Sequence, residues 1–125
     1  MKQKSISKLK KELDAVFSKY IRQKYSKNGM VKCYTCPHIG EIKKMQNGHF
    51  NPRQHLATRY DERNCRPQCF VCNMYYGGNP ATFAKNLIAE YGEGIIDELE
   101  KSRYEIFKVT PQWYEEKIKH YKSLI

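Results

Sequence analysis

The chain has 125 residues and 14.9 kDa, the length of about one domain with one core. Its 40% hydrophobic and 13% aromatic content argues for a folded chain rather than a disordered tail. No run approaches the roughly eighteen apolar residues of a bilayer span, and no apolar segment follows the basic N-terminus, so membrane insertion and export are not expected and a cytoplasmic protein is.

In chain order, Ile6, Leu9, Leu13, Val16, Phe17, Tyr20 and Ile21 recur at three- and four-residue steps. They predict an amphipathic helix from about Ser5 to Ser26, stopped by Asn28-Gly29. Lys4, Lys8, Lys11, Lys19 and Arg22 fall largely off that stripe, toward solvent. Met30 to Cys33 and Glu41 to Phe50 read as short strands, and Asn51 to Arg63, which contains Pro52, as a loop. A short helix is expected from near Cys69–Cys72 to Gly77-Gly78. Asn79 then caps and Pro80 opens a helix with the stripe Phe83, Leu87, Ile88 and Tyr91 before Gly92. Ile95, Ile96 and Leu99 suggest another, ending near Arg103. Thr110-Pro111 repeats the cap-and-proline start for a last helix with Tyr114, Ile118, Tyr121 and Ile125 on its stripe and Trp113 packed beside it.

These elements describe an α+β fold, a single domain over 1–125, with a basic helix (1–29), a metal-centred core (30–79) and C-terminal helices (80–125). The charge follows the same division. The total of 23 Lys+Arg and 13 Asp+Glu gives +10. Residues 1–32 hold ten basic and two acidic side chains, 33–79 six and three, and 80–125 seven and eight. A basic front and a near-neutral back suggest that one face meets a polyanion, with Lys8 and Lys11 as candidate contacts to a DNA backbone.

Five cysteines stand at 33, 36, 65, 69 and 72, and four of them form two C-x-x-C pairs separated by 32 residues. Each tight turn presents two sulfurs at adjacent corners of a tetrahedron, so Cys33, Cys36, Cys69 and Cys72 are expected to bind a structural zinc ion. The odd count and paired spacing argue against a disulfide scaffold, and Cys65 is left as a small buried hydrophobe. A core this small would take much of its folding energy from the metal.

Between and beside the pairs stand Gly48-His49-Phe50, Asn64 and Asn73. A histidine at a strand end can present a neutral imidazole to solvent and take a proton from water, as a hydrolytic general base must. Asn64 is a candidate to accept the imidazole Nδ1–H or to orient the ring through backbone contacts. Asn73 follows a zinc cysteine, so its carboxamide oxygen is rigidly placed and suited to a hard cation such as Mg²⁺ or Mn²⁺. Arg53, Arg59, Arg63 and Arg66, four in fourteen residues, suit a phosphodiester clamp.

Cys33-x-x-Cys36, Gly48-His49-Phe50, Arg59-Tyr60, Asn64-Cys65, Gln68-Cys69-x-x-Cys72-Asn73 and Gly78-Asn79 together resemble the NinG/Rap family of lambdoid phage recombination endonucleases, from about Cys33 to Tyr91. The fifteen-residue step from His49 to Asn64 is similar to that of HNH (ββα-metal) nucleases, and the C-x-x-C-Asn ending to the phage endonuclease VII type. The resemblance implies a phage-encoded, metal-dependent enzyme that hydrolyses branched DNA such as Holliday junctions. His49 would be the base, Asn64 its orienting partner and Asn73 a ligand of the catalytic ion, in a ββα-metal core held by zinc. It also implies a homodimer, for which the first or last helix offers an isologous face. Gly48 stands where HNH sites place an Asp or His ligand; His55, Asp61, Gln46 and Asn47 are the candidate replacements. The competing readings are a zinc-dependent DNA-binding accessory protein without catalysis, which makes Gly48 unsurprising, and a protein–protein adaptor.

Overall fold

The computed structural model describes residues 3–106 and 108–125. Helix α1 (Ile6–Lys24) starts where Ser5 Oγ accepts the Lys8 amide at 3.2 Å. It buries Leu9, Leu13, Val16, Phe17 and Ile21. Helix α5 (Pro111–Lys122) starts in the same way, with the Thr110 hydroxyl accepting the Trp113 amide at 3.1 Å, and buries Tyr114, Ile118 and Tyr121. The two stripes pack on one another, Phe17 meeting Tyr121 edge-on with ring centroids 4.9 Å apart. Each such fully buried side chain contributes about 1.5–3 kcal/mol. The apolar faces expected to offer a dimer interface are therefore consumed inside one chain.

Two small sheets carry the middle of the chain. Strands β1 (Ser26–Lys27), β2 (Met30–Lys32) and β3 (Ile39–Glu41) form an antiparallel sheet in that order. Strands β4 (Gln46–His49) and β5 (Cys65–Gln68) form an antiparallel pair, with Gly48 opposite Arg66 and His49 opposite Cys65. Three expectations are corrected here. Asn28-Gly29 does not stop α1; with φ of 54° and 77° it is the two-residue turn of the β1–β2 hairpin, and the helix ends earlier, at Lys24. The strand expected over Glu41–Phe50 is broken by a 3₁₀ turn at Ile42–Lys44, so its two ends join different sheets. The loop Asn51–Arg63 contains a short helix, α2 (Leu56–Arg59), and the entry to a second 3₁₀ turn (Glu62–Asn64).

After β5 comes a π turn (Val71–Tyr75), in which the Tyr76 amide reaches back to the Val71 carbonyl at 2.9 Å. Helices α3 (Pro80–Tyr91) and α4 (Ile95–Ser102) bury Phe83, Leu87, Ile95 and Leu99 against Tyr34 and Phe50. Asn79 precedes α3 but makes no side-chain cap; its amide donates to the Thr35 carbonyl at 3.3 Å, tying α3 to the first cysteine turn. Among the described residues no helix is long and apolar enough to cross a membrane.

Candidate functional site

Cys33 and Cys36 sit in the turn between β2 and β3, Cys69 follows directly on β5, and Cys72 lies within the π turn. Their sulfurs all lie within 4.8 Å of one another, with Cys36 and Cys69 3.7 Å apart. Tetrahedral zinc with bonds of ~2.3 Å requires sulfur–sulfur separations of ~3.8 Å, so the donor set fits the ion. Cys65 lies apart, fully buried beneath α1 and α5, where burial pushes its thiol well up. Gln68 braces the frame: its side-chain amide donates to Thr35 Oγ1 at 2.9 Å and to the Gly78 carbonyl at 2.8 Å.

Beside this frame lies a cleft of about 380 Å³. Helix α1 lines it with Asp14, Ser18 and Arg22, β4 with Asn47 and His49, and the π turn with Asn73. Strand alternation puts Asn47 and His49 on one face while Gly48 faces Gln68; Gln46, at the start of the strand, lines the cleft as well.

His49 is mostly buried rather than presented to solvent as expected. Its Nε2 is 2.9 Å from the Arg59 carbonyl oxygen. A carbonyl only accepts, so Nε2 carries the proton and Nδ1 keeps its lone pair. Burial, aided by the positive charges of Arg53 and Arg59, pulls the imidazole pKa down to about 4, so the ring is neutral near pH 7.

Asn64 makes no bond to the imidazole. Its Oδ1 accepts the Asn51 amide at 2.7 Å, and its Nδ2 donates to the carbonyls of Asn51 and Thr58. It clamps the two ends of the loop whose next carbonyl, that of Arg59, holds His49. Asn73 donates from Nδ2 to Gln46 Oε1 at 2.6 Å, which leaves its Oδ1 as the half available to a cation. Asn47 Oδ1 is buried without a hydrogen-bond partner.

The arginines divide sharply. Arg53 is exposed at the cleft, with Nη2 3.0 Å from Asp14 Oδ2. Arg59 is 9% exposed and grips Asp14 through Nε at 2.9 Å and through Nη2. Arg63 pairs with Asp61 and Glu98. Arg66 is fully buried, paired with Glu90 at 2.8 Å, bonded to Tyr91, and stacked among Tyr25, Tyr34 and Tyr91. Of the four arginines expected to form a phosphate clamp, Arg53 alone lines the cleft; all four pair with carboxylates of the chain itself, and Arg53 is the most exposed of them. Lys8 and Lys11 are exposed on α1 and do not line the cleft; Lys11 lies one turn from Asp14, which does.

Of the candidate replacements for a ligand at Gly48, Gln46 and Asn47 reach the cleft. His55 instead packs against Tyr104, and Asp61 caps the second 3₁₀ turn. Sequence reasoning missed Asp14. Burial opposes its charge, but Arg59 and Tyr60, whose hydroxyl donates at 2.7 Å, hold its carboxyl below the usual range. The signal was a second polar stripe on α1, Lys11, Asp14, Ser18 and Arg22, at helical spacing.

A mixed helix-and-sheet frame, with a four-cysteine cluster able to hold a metal ion such as zinc and a histidine–amide cleft beside it, defines a small α+β protein. The chain belongs to the NinG family: the family described as Bacteriophage Lambda NinG protein matches residues 1–125. Among curated relatives, Protein ninG of Escherichia phage lambda is 31% identical over 71 residues, 52% of this chain and 35% of that protein. Protein ninG of Enterobacteria phage H19B is 41% identical over 44 residues, 35% of this chain and 22% of that protein. That of Salmonella phage P22 is 43% identical over 42 residues, 34% of this chain and 21% of that protein. The chain therefore covers about a third or less of the length of these relatives. No solved structure matches it.

Proposed function

We propose that the chain is a metal-dependent endonuclease that hydrolyses phosphodiesters in branched DNA of the recombination-intermediate type. The observation that carries this reading is His49, neutral, with Nε2–H held by the Arg59 carbonyl and Nδ1 unprotonated in a cleft that also holds Asn73 and Arg53. The β4–β5 pair followed by a helical turn resembles a ββα-metal core, with the four cysteines replacing a larger apolar interior.

In this reading, His49 Nδ1 takes the proton of the attacking water, and the Arg59 carbonyl stabilises the imidazolium that forms. Arg53 exchanges its single Nη2 bond to Asp14 for a phosphate oxygen. Asn64 keeps the loop, and so the Arg59 carbonyl, in register. The cleft offers neutral amide oxygens at Asn73 and Asn47, while both oxygens of Asp14 are engaged by arginine and tyrosine donors. These donors fit a hard ion that brings part of its coordination with the DNA. Mg²⁺ or Mn²⁺ held by Asn73 and substrate phosphate would supply stabilisation of charge on the leaving O3′.

Zinc-loaded protein should cleave four-way and flap DNA in Mg²⁺, and His49→Ala should lower the rate at least about 100-fold with DNA affinity nearly intact. Unchanged cleavage by His49→Ala would overturn the assignment. Among the described residues the one carboxylate lining the cleft, Asp14, is already engaged, which favours the accessory DNA-binding reading; that reading predicts binding of the same DNA with no cleavage and no Mn²⁺ uptake at Asn73.

A further inference from the structure

We propose that the exposed ridge of Phe70, Val71, Met74, Tyr75 and Tyr76 is a stacking surface for unpaired nucleobases beside the phosphate held in the cleft. It rests on the proposed DNA substrate and names the part of that substrate the chain recognises.

The ridge is unusual for a folded chain. Tyr75 is 79% exposed, Phe70 and Met74 60%, Tyr76 59% and Val71 49%, all within seven consecutive residues. A contiguous apolar surface of this kind marks a binding site. Its exposure is built in, because Cys69 and Cys72, the metal-site cysteines of the same segment, are buried and turn the π turn's other face outward. The Tyr75 and Tyr76 rings stand edge to face with centroids 5.3 Å apart, held on a turn anchored to the metal frame. Large rings on such an anchor lose little freedom when a planar partner stacks on them.

Three features choose nucleobases over another protein. Met74 belongs to the ridge and lines the His49 cleft, so a base on the ridge adjoins a phosphate at Arg53. Lys43 and Lys44 are exposed in the turn just before Met45, which lines the same cleft, and provide cations for a strand crossing the ridge. Aromatic rings fringed by lysine form the combination that binds single strands, because every base offers a π-face to rings and every linkage a charge to cations. A second copy would bring two +10 chains together with their lysine fringes opposed. Intact duplex conceals its base faces, so the ridge selects DNA in which bases are unstacked, as at a branch point or single-strand junction.

The test uses the zinc-loaded 125-residue chain without Mg²⁺, titrated into DNA carrying 2-aminopurine at an unpaired position of a flap, and into a matched duplex. Wild type should quench the unpaired probe and bind the flap more tightly. Tyr75→Ala with Tyr76→Ala should lose about tenfold or more in flap affinity and about twofold or less on duplex, with zinc content unchanged. Tyr75→Phe with Tyr76→Phe, which keeps the rings, should retain wild-type binding. Equal losses on both DNAs, or none, overturn the ridge while leaving the His49 cleavage test untouched. A drop from dimer to monomer on sedimentation of the alanine variant, with no selective flap loss, assigns the ridge to self-association instead. A chain that stacks on the flap but never cuts it retains the ridge and loses the nuclease reading, and a chain that binds neither DNA overturns both.

Discussion

A Cβ built on Gly48 would lie 1.9 Å from Gln68 Oε1, and Gln68 is itself buried and bonded to Thr35 and Gly78. The residue that departs from the nuclease pattern is therefore packed into the zinc frame and turned away from the cleft. Gly48→Asp, which restores the usual ligand type, should not raise metal-dependent cleavage. It should destabilise the chain by about 2 kcal/mol or more, through overpacking and a buried charge, seen as a lowered denaturant midpoint. His49, Asn64 and Asn73 were legible as residue types in a motif, since their chemistry is local. Asp14 was not, because its partners Arg53, Arg59 and Tyr60 lie 39 to 46 residues away and sequence order does not reveal that α1 meets this loop.

At the scale of elements, helices announced themselves through stripes and caps, whereas the short strands did not. Strands of two to four residues carry too few side chains for a period of two to show. Strand β5 went unread because Cys65, Arg66, Pro67 and Gln68 are all buried, polar ones included, so no alternation exists to detect. A metal ion held by the four cysteines would join these fragments, linking the β2–β3 turn to the π turn. Stripping the ion with a chelator, or Cys36→Ser, should abolish cooperative thermal unfolding and release one zinc per chain by elemental analysis. Retention of a sharp transition without metal would show that the apolar clusters suffice.

Across the whole molecule there are three apolar clusters: α1 with α5, the cysteine frame, and α3 with α4. The burial of His49 has a thermodynamic consequence. The unfolded imidazole takes a proton near pH 6.5, whereas the folded one resists until about pH 4. Acid therefore favours the unfolded chain: this contribution is complete above pH 6.5 and is lost as pH falls toward 4, by about 3 kcal/mol in order of magnitude. Chemical denaturation between pH 7 and 4.5 should show a steeper acid loss for wild type than for His49→Gln; equal slopes would remove the histidine from that account.

Composition and spacing alone determined the net +10, the terminal helices with their caps, the four-cysteine set and the family motifs, because each depends on residue type or on near neighbours in the chain. Only the tertiary structure decided which arginine faces the cleft, that Asn64 clamps backbone instead of the imidazole, that Gly48 is a packing residue, and that Phe70 to Tyr76 stand exposed. Those outcomes depend on charge pairing and burial between segments far apart in sequence. A guanidinium beside a carboxylate of its own fold is neutralised in place, and the sequence shows the charges without showing which of them meet.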